Sequence, residues 1–445
     1  MEQTSIPKHK LARAASLVGT GAQVGFNYAR YNVQKRLAGG NAEAAAKAKS
    51  ALDTANAELT FETFSRLKGS PLKMAQMLSM DKNILPAPYA EAFAKSYYSA
   101  PPLSYPLVVQ TFKRETGKAP TELFDEFSRS AVAGASIGQV HKARKDNRDY
   151  AVKVQYPGVA DSLQSDLALV KPVAMRLFNL DAKSLEPYFK EVETRLLEET
   201  DYALELRRST ELAEACAHLP NVRFPQYYPD LSGRRILTLD WVDGLTLDKW
   251  IGTDPDQEAR DRIGQALWDF YHFQVHSLRV FHADPHPGNF FVKDDELWVI
   301  DFGCVKTLTE DFYRRFFSLM DDARRNSPVD FQQMLEDLDL LRPGDSAAAR
   351  RKLARVYHES ISLLSRPFSR GVLDFGDETY VHEIYEFSER TRTDKELDKI
   401  TTSRGDANAI YLNRAYYGLY NLEGALRARV RTQLPEFLLQ AAGAA

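Results

Sequence analysis

Apolar positions recur at helical spacing through the first hundred residues, in Ala-rich stretches over 42–58 and in the run Phe61, Phe64, Leu67. Leu85-Pro86-Ala87-Pro88 breaks that pattern, and Ala100-Pro101-Pro102 breaks it again. From about residue 127 the period changes. Short β-type runs fall at Ala135–Ala143, Tyr150–Gln155 and Arg235–Trp241. A helical region dense in Glu and Leu lies between the second and third, over about 161–218. Beyond Gly244 the pattern predicts a helix over 256–280, a loop over 282–289, and two short strands at 290–292 and 297–300. From there to residue 445 it predicts helices with Pro and Gly breaks. No fixed-period repeat is visible. The parts are a helical extension over 1–110, a strand-rich lobe with a helical insertion over 111–243, and a helical lobe over 244–445.

A chain of 445 residues exceeds what one core holds and implies two or three units. Its hydrophobic fraction of 44% and charged fraction of 27% are those of an ordinary globular protein. The net charge of −3 gives no general attraction to nucleic acid, which is excluded as a partner. Two cysteines, Cys216 and Cys304, are too few for a disulfide framework and fit a reducing compartment. No apolar run reaches the roughly 18 residues of a membrane span. The first 26 residues place basic side chains before a small-residue segment without a long apolar run. They read as neither a signal peptide nor a span, and leave contact with a membrane surface open. Gly21 and Gly25 form a small-xxx-small pair, which in a soluble chain points to close internal packing or a loop. The expectation is a cytoplasmic protein, peripheral to a membrane where it meets one.

The chemistry concentrates in His282-Ala283-Asp284-Pro285-His286-Pro287-Gly288-Asn289, followed twelve residues later by Asp301-Phe302-Gly303. Phosphoryl transfer from ATP needs a carboxylate near the acceptor hydroxyl and oxygen ligands that hold Mg²⁺ against the phosphates. An Asp, an Asn five residues on, a hairpin, and then Asp-Phe-Gly supply these in the order that kinase folds use. Asp284 is then the base or hydroxyl-positioning group, and Asn289 and Asp301 hold the metal. A rival reading takes His282, Asp284 and His286 as alternating transition-metal ligands.

Upstream, Tyr150-Ala151-Val152-Lys153-Val154 is a β-run with one central lysine. It follows a Gly/Ala-rich hairpin, Ala133-Gly134-Ala135-Ser136-Ile137-Gly138. That hairpin offers backbone N–H groups with little side-chain bulk for phosphate, and Lys153 sits where a kinase lysine meets the α- and β-phosphates. Its acidic partner lies in Glu198–Glu205. Asp201 and Glu205 share a helix face there, whereas Glu199 points about 120° away from Glu205. The strand Ile236–Asp240 and the following Trp241-Val242 occupy the place of a hinge, with Asp240 and Val242 meeting adenine through the backbone. Cys304 reads as a small buried residue.

With these residues assembled, the sequence resembles the UbiB family of atypical kinases, also called AarF or ABC1-type, from about residue 55 to beyond 320. Two features carry the resemblance beyond the kinase elements. One is Lys73-Met74-Ala75-Gln76, similar to the family's Lys-x-Gly-Gln signature on a helix of the extension. Lys73 and Gln76 can share a face there. In the family this helix covers the nucleotide pocket and the region where a protein substrate would dock. The other is the alanine-rich loop Ala133-Gly134-Ala135-Ser136 in place of a glycine-rich one. The resemblance further implies that Glu199 and Asp201 form the Glu-x-Asp motif that meets the extension, and that Glu205 pairs with Lys153. Ala75 and Gly134 depart from the family pattern. The membrane-spanning C-terminal helices of some bacterial relatives have no counterpart.

The implied fold is α+β, a bilobal protein-kinase-like fold with an N-terminal helical extension. The implied function is an atypical kinase or ATPase with ATP and Mg²⁺ as cofactors, acting on or supporting a small-molecule or isoprenoid-lipid pathway of the ubiquinone type. A non-catalytic nucleotide-binding scaffold is the alternative. A protein kinase fits less well, because no Ala-Pro-Glu segment follows Asp301 and the extension would block a peptide.

Overall fold

The computed structural model describes residues 15–16, 19–20, 22–28, 30–31, 42–67, 88–89, 92, 103–135, 137–177, 190, 193–194, 196–368, 371–400, 404–433 and 438. The signature residues Lys73, Ala75 and Gln76, and Ser136 of the loop, lie outside them. The chain forms two compact units, one of residues 1–207 with 226–241 and one of 208–225 with 242–445.

The first unit carries a five-stranded antiparallel sheet. Its strands are β1 (Glu126–Phe127), β2 (Ala133–Ala135), β3 (Gly138–Lys145), β4 (Arg148–Gln155) and, after an excursion, β6 (Ile236–Asp240), ordered β1-β3-β4-β6 with β2 on β3. Asp146 and Asn147, at φ 50° and 64°, join β3 to β4. This is the two-residue hairpin turn that short polar residues accommodate and that matches the strands' twist. Along β4 the buried Tyr150, Val152 and Val154 alternate with Ala151 and Lys153, the period of a strand with one covered face. That face packs on Val108 and Phe112 of α2 (Tyr105–Thr116) and on Phe124. Helix α2 runs unbroken through residue 110.

The extension's predicted helices appear as α1 (Ala42–Leu67), with Ala57, Phe64 and Leu67 buried. Helical residues 20, 27 and 28 make hydrogen bonds to it: Thr20 to Thr63 at 2.8 Å, Asn27 to Asn56 at 2.7 Å, and Tyr28 to Asp53 at 2.7 Å. Of the small-residue pair, Gly21 lies outside the described residues, and among the described residues nothing comes within 4 Å of a Cβ placed on Gly25. The expected long helix over 161–218 is described as α3 (Val159–Leu177) and α4 (Tyr202–Cys216), with Asp201 capping the start of α4 rather than lying within it.

The second unit is mostly helical. A four-stranded sheet ordered β5-β10-β9-β7 joins β5 (Val222–Arg223), β7 (Leu245–Thr246), β9 (Phe290–Lys293) and β10 (Glu296–Val299). Asp294 and Asp295, both at positive φ, turn β9 into β10. The predicted helix over 256–280 stops earlier. Helix α5 (Gln257–Phe273) gives way to a π turn over Gln274–Leu278 and to β8 (Val280–His282). Val280-Phe281-His282 has a partner the local pattern does not show, β11 (Val305–Thr307) just beyond Asp-Phe-Gly. Two more strands fall in the stretch expected to be helical, β12 (Gly371–Asp374) against β13 (Arg429–Thr432). Helix α6 (Ala407–Leu426) crosses the unit with Leu412, Ala415, Leu419 and Leu426 fully buried.

One buried group in α6 is under electrostatic stress. Glu423 is wholly buried, and neither carboxylate oxygen has a hydrogen-bond partner. Burial, with Asp269 adding to it, raises its pKa well above the ordinary carboxylate value. The folded state therefore holds a proton that the unfolded chain releases above its pKa of about 4.3, so stability falls as pH rises through that value. Glu423→Gln is expected to keep the shape and remove the slope. Melting temperatures between pH 5 and pH 8 should drop less in the variant, and equal drops would show that Glu423 is not the titrating group.

Candidate functional site

In the first unit Lys153 sits in mid-sheet, between Val140 of β3 and Leu237 of β6. A charge in that position needs a counter-charge within reach. Glu205, in the first turn of α4, provides it: Oε1 lies 2.6 Å from Lys153 Nζ, with the side chains 5% and 13% exposed. The ring of Tyr202 stands below the ammonium, 5.0 Å from Nζ to its centroid. The partner implied by the resemblance is therefore the one in place. Asp201 accepts from the backbone N–H groups of Ala203 and Leu204 and lies 3.7 Å from Arg234. Glu199 is half-buried on the turn before it.

The β2–β3 hairpin presents Ala133 and Gly134 to solvent. A Cβ on Gly134 would meet nothing within 4 Å, so the departure from alanine there is sterically neutral. Gly138 is the constrained position: a Cβ would lie 2.6 Å from both the Val154 carbonyl oxygen and Tyr202 Oη. At the hinge the Asp240 carboxylate is tied locally, accepting from Tyr228 Oη at 2.7 Å and from Gln226 N at 3.0 Å. Burial and Asp240 together push the Tyr228 phenol up to about 12. The N–H groups of Asp240 and Trp241 are also taken, by Gln226 O and Asp149 O. Val242 is buried in the second unit.

In the second unit the loop after β8 is fixed largely by its own backbone. The Asp284 carbonyl accepts from His286 N at 2.7 Å and from Asn289 Nδ2 at 2.9 Å, and Ala283 N donates to Cys304 O at 2.8 Å. Because the amide nitrogen of Asn289 is spent inward, its side-chain oxygen is turned to the other side. Ile300 N donates to Asn289 O at 3.1 Å, which brings Asn289 beside the residue preceding Asp301. The Asp301 carboxylate accepts from Gly303 N at 2.7 Å. Asn289 and Asp301, brought near each other along the backbone by the Ile300–Asn289 bond, carry hard oxygen donors of the type magnesium takes.

The transition-metal reading does not hold. Among the described residues no group of three His, Cys, Asp or Glu side chains is arranged for a metal. His282 is fully buried, with Phe302 and Phe290 edge-on to its ring at 5.7 and 6.0 Å and Tyr271 Oη 3.3 Å from Nδ1. Burial lowers its pKa, so it stays neutral. His286 accepts from Gly288 N through Nδ1. The two histidines are structural parts of the loop: one links it to the Phe of Asp-Phe-Gly, the other shapes its turn. Cys304 is half-buried.

One residue in contact with the loop escaped the sequence reading. Arg414 Nη2 lies 2.6 Å from Asp284 Oδ1. It comes from α6, 130 residues further on, where no local motif marks it. One turn later Gly418 lies so close to Pro285 that a Cβ would stand 2.0 Å from Pro285 Cγ.

The chain matches the family model described as the ABC1 atypical kinase-like domain over residues 97–334, more than half its length. It belongs to that family. Among curated relatives, this ABC1-family chain is 29% identical over 334 residues to the "Probable serine/threonine-protein kinase abkA" of Dictyostelium discoideum, covering 71% of this chain and 58% of that one. It is 27% identical over 383 residues to "Atypical kinase COQ8B, mitochondrial" of Rattus norvegicus, covering 84% and 71%. It spans 39% of the Arabidopsis thaliana "Protein ACTIVITY OF BC1 COMPLEX KINASE 8, chloroplastic" and 52% of an ABC1 family protein of Schizosaccharomyces pombe, and so about half the length of several relatives. Among solved structures it is similar to Rv3197 of Mycobacterium tuberculosis, described in complex with erythromycin. The TM-score is 0.57 at 26% identity, covering 88% of this chain and 96% of that one. The kinase-like α+β fold expected from the sequence is thereby established.

Two predictions follow from the geometry around Lys153. Glu205→Gln removes the carboxylate that Lys153 meets at 2.6 Å and should cost about 3–5 kcal/mol in urea denaturation. The double variant with Lys153→Met should recover part of that loss, and an additive loss would show that the pair is not coupled. Gly138→Ala should lower the melting temperature markedly, whereas Gly134→Ala should leave it unchanged; equal effects would contradict the hairpin packing.

Proposed function

We propose that the chain is an atypical kinase or ATPase that uses MgATP, with Lys153, paired to Glu205, on the nucleotide phosphates and Asn289 and Asp301 on the metal. The observation that carries this reading is the inward bond of Asn289 Nδ2 to the Asp284 carbonyl. It uses the amide nitrogen and leaves the amide oxygen, the hard donor magnesium takes, outside that bond, on the loop that also carries the Asp284 carboxylate. The metal, when bound, supplies positive charge against the phosphate oxygens. The chain's own residues do the rest. Asp284 orients the attacking hydroxyl or water, and Lys153 and the hairpin over Ala133–Ser136 hold phosphate. The Asp240 carbonyl and Val242 meet the base. In this reading Lys73, Gln76, Glu199 and Asp201 complete the nucleotide pocket, as in the family the sequence resembles.

That resemblance also supports an acceptor or client from an isoprenoid-lipid pathway of the ubiquinone type. ATP hydrolysis coupled to moving a hydrophobic molecule would serve such a pathway without a phosphorylated product. Contact with membrane would then be peripheral, since among the described residues no helix is long and apolar enough to cross one.

The test is MgATP turnover by the full chain, with and without anionic liposomes, for wild type and Asp301→Asn. Loss of the carboxylate should cut a genuine rate by about a hundredfold or more, because electrostatic stabilisation dominates phosphoryl transfer. A rate that depends on Asp301 and rises with liposomes is expected. Nucleotide binding with the same negligible turnover in both proteins would favour a non-catalytic scaffold.

A further inference from the structure

We propose that Arg414 is the positioning residue for Asp284, so that the site proposed above is completed by α6, outside the stretch the family model matches. This rests on the MgATP reading of the Asp284 loop. The loop's own bonds fix the main chain of Asp284: its carbonyl takes His286 N and Asn289 Nδ2. Those bonds leave the carboxylate's torsions to be set by something else. The guanidinium of Arg414 reaches Oδ1 at 2.6 Å, a charge-assisted bond of the short, directional kind.

The arginine is delivered by a rigid element. Leu412, Ala415 and Leu419, around it on the same helix, are fully buried. Along one helix face, three neighbours meet the segments on either side of the Asp-Phe-Gly turn and the loop. Tyr411 lies under Lys306 of β11, 4.1 Å from Nζ to the ring centroid. Arg414 meets Asp284, and Gly418 meets Pro285. Residues 411, 414 and 418 stand at the i, i+3, i+7 spacing of one face. The Gly418–Pro285 approach, too close for any side chain at 418, sets how near the arginine comes to the loop.

A purely structural ion pair is a weaker account. About a quarter of each side chain is exposed, 23% for Arg414 and 25% for Asp284, and pairs that open to water add little to stability. What the contact does control is the direction in which the carboxylate faces an attacking hydroxyl or water. A misplacement of about 1 Å in such a group costs on the order of a hundredfold in rate.

The experiment measures MgATP turnover and the affinity for a fluorescent ATP analogue in full-length wild type, Arg414→Met, Arg414→Lys, Asp284→Asn and the Asp284→Asn/Arg414→Met double variant. Arg414→Met should lower kcat by roughly tenfold to a hundredfold while nucleotide affinity stays within about twofold. Arg414→Lys should recover part of the rate, which a lost fold would not allow. In the Asp284→Asn background Arg414→Met should have no further effect, since the group it positions is gone. Unchanged or raised turnover in Arg414→Met, an undiminished effect in the double variant, or loss of nucleotide affinity in parallel with kcat would each overturn the role. These results are separable from failure of the MgATP reading. That reading falls, and this role with it, if wild type shows no turnover that depends on Asp301; if such turnover is present and Arg414→Met matches wild type, this role alone falls.

Discussion

A lysine in the middle of an antiparallel sheet has neighbours above, below and on both sides, and none of them in β3 or β6 can neutralise it. For Lys153 the counter-charge comes from α4, which starts where Glu205 can reach it. That requirement propagates. Asp201 must cap the helix so that its first turn begins there. Gly138 must lack a side chain so that Tyr202 can lie under the ammonium. The residues around Lys153 are constrained less by the hydrophobic core than by the need to keep one buried charge compensated.

The second unit solves a different problem, that of holding a short polar loop still without burying it. Main-chain bonds within 284–289 fix its shape. His282, kept neutral by burial, anchors its start among Tyr271, Phe290 and Phe302. Asp284, Asn289 and Asp301 are half-buried, held by the protein and still open to solvent. The ring contact of His282 with Phe302, the Ala283 N to Cys304 O bond and the pairing of β8 with β11 tie the loop to the Asp-Phe-Gly turn.

What was legible in the sequence follows the range of the interactions. Lys153 could be found from a β-run, and Asp284, Asn289 and Asp301 from their spacing, because the chemistry that unites them is compressed into short stretches. Glu205 could not be separated from Glu199 and Asp201 by helix geometry alone, since Asp201 is a cap and the helix starts after it; the family resemblance made the choice. The strands β8, β11, β12 and β13 were read as helix or loop. Each has three or four residues, and each is stabilised by a partner at a distance the local period does not encode. Arg414 was invisible for the same reason. It is one of several arginines on helices of the second unit, and what sets it apart, its contact with Asp284 and the packing of Gly418 on Pro285, appears only in the fold.

The separation of Arg414 from Asp284 along the chain also has a meaning in time. The two are 130 residues apart. At ribosomal rates of about 5–20 residues per second, the arginine is made some 7–26 s after the aspartate it contacts. For most of that interval the nascent polypeptide carries every piece of the loop motif and of Asp-Phe-Gly, yet not the guanidinium that meets the Asp284 carboxylate. A half-synthesised chain thus holds the loop before it holds the helix that meets it, and the contact between them forms only when α6 docks.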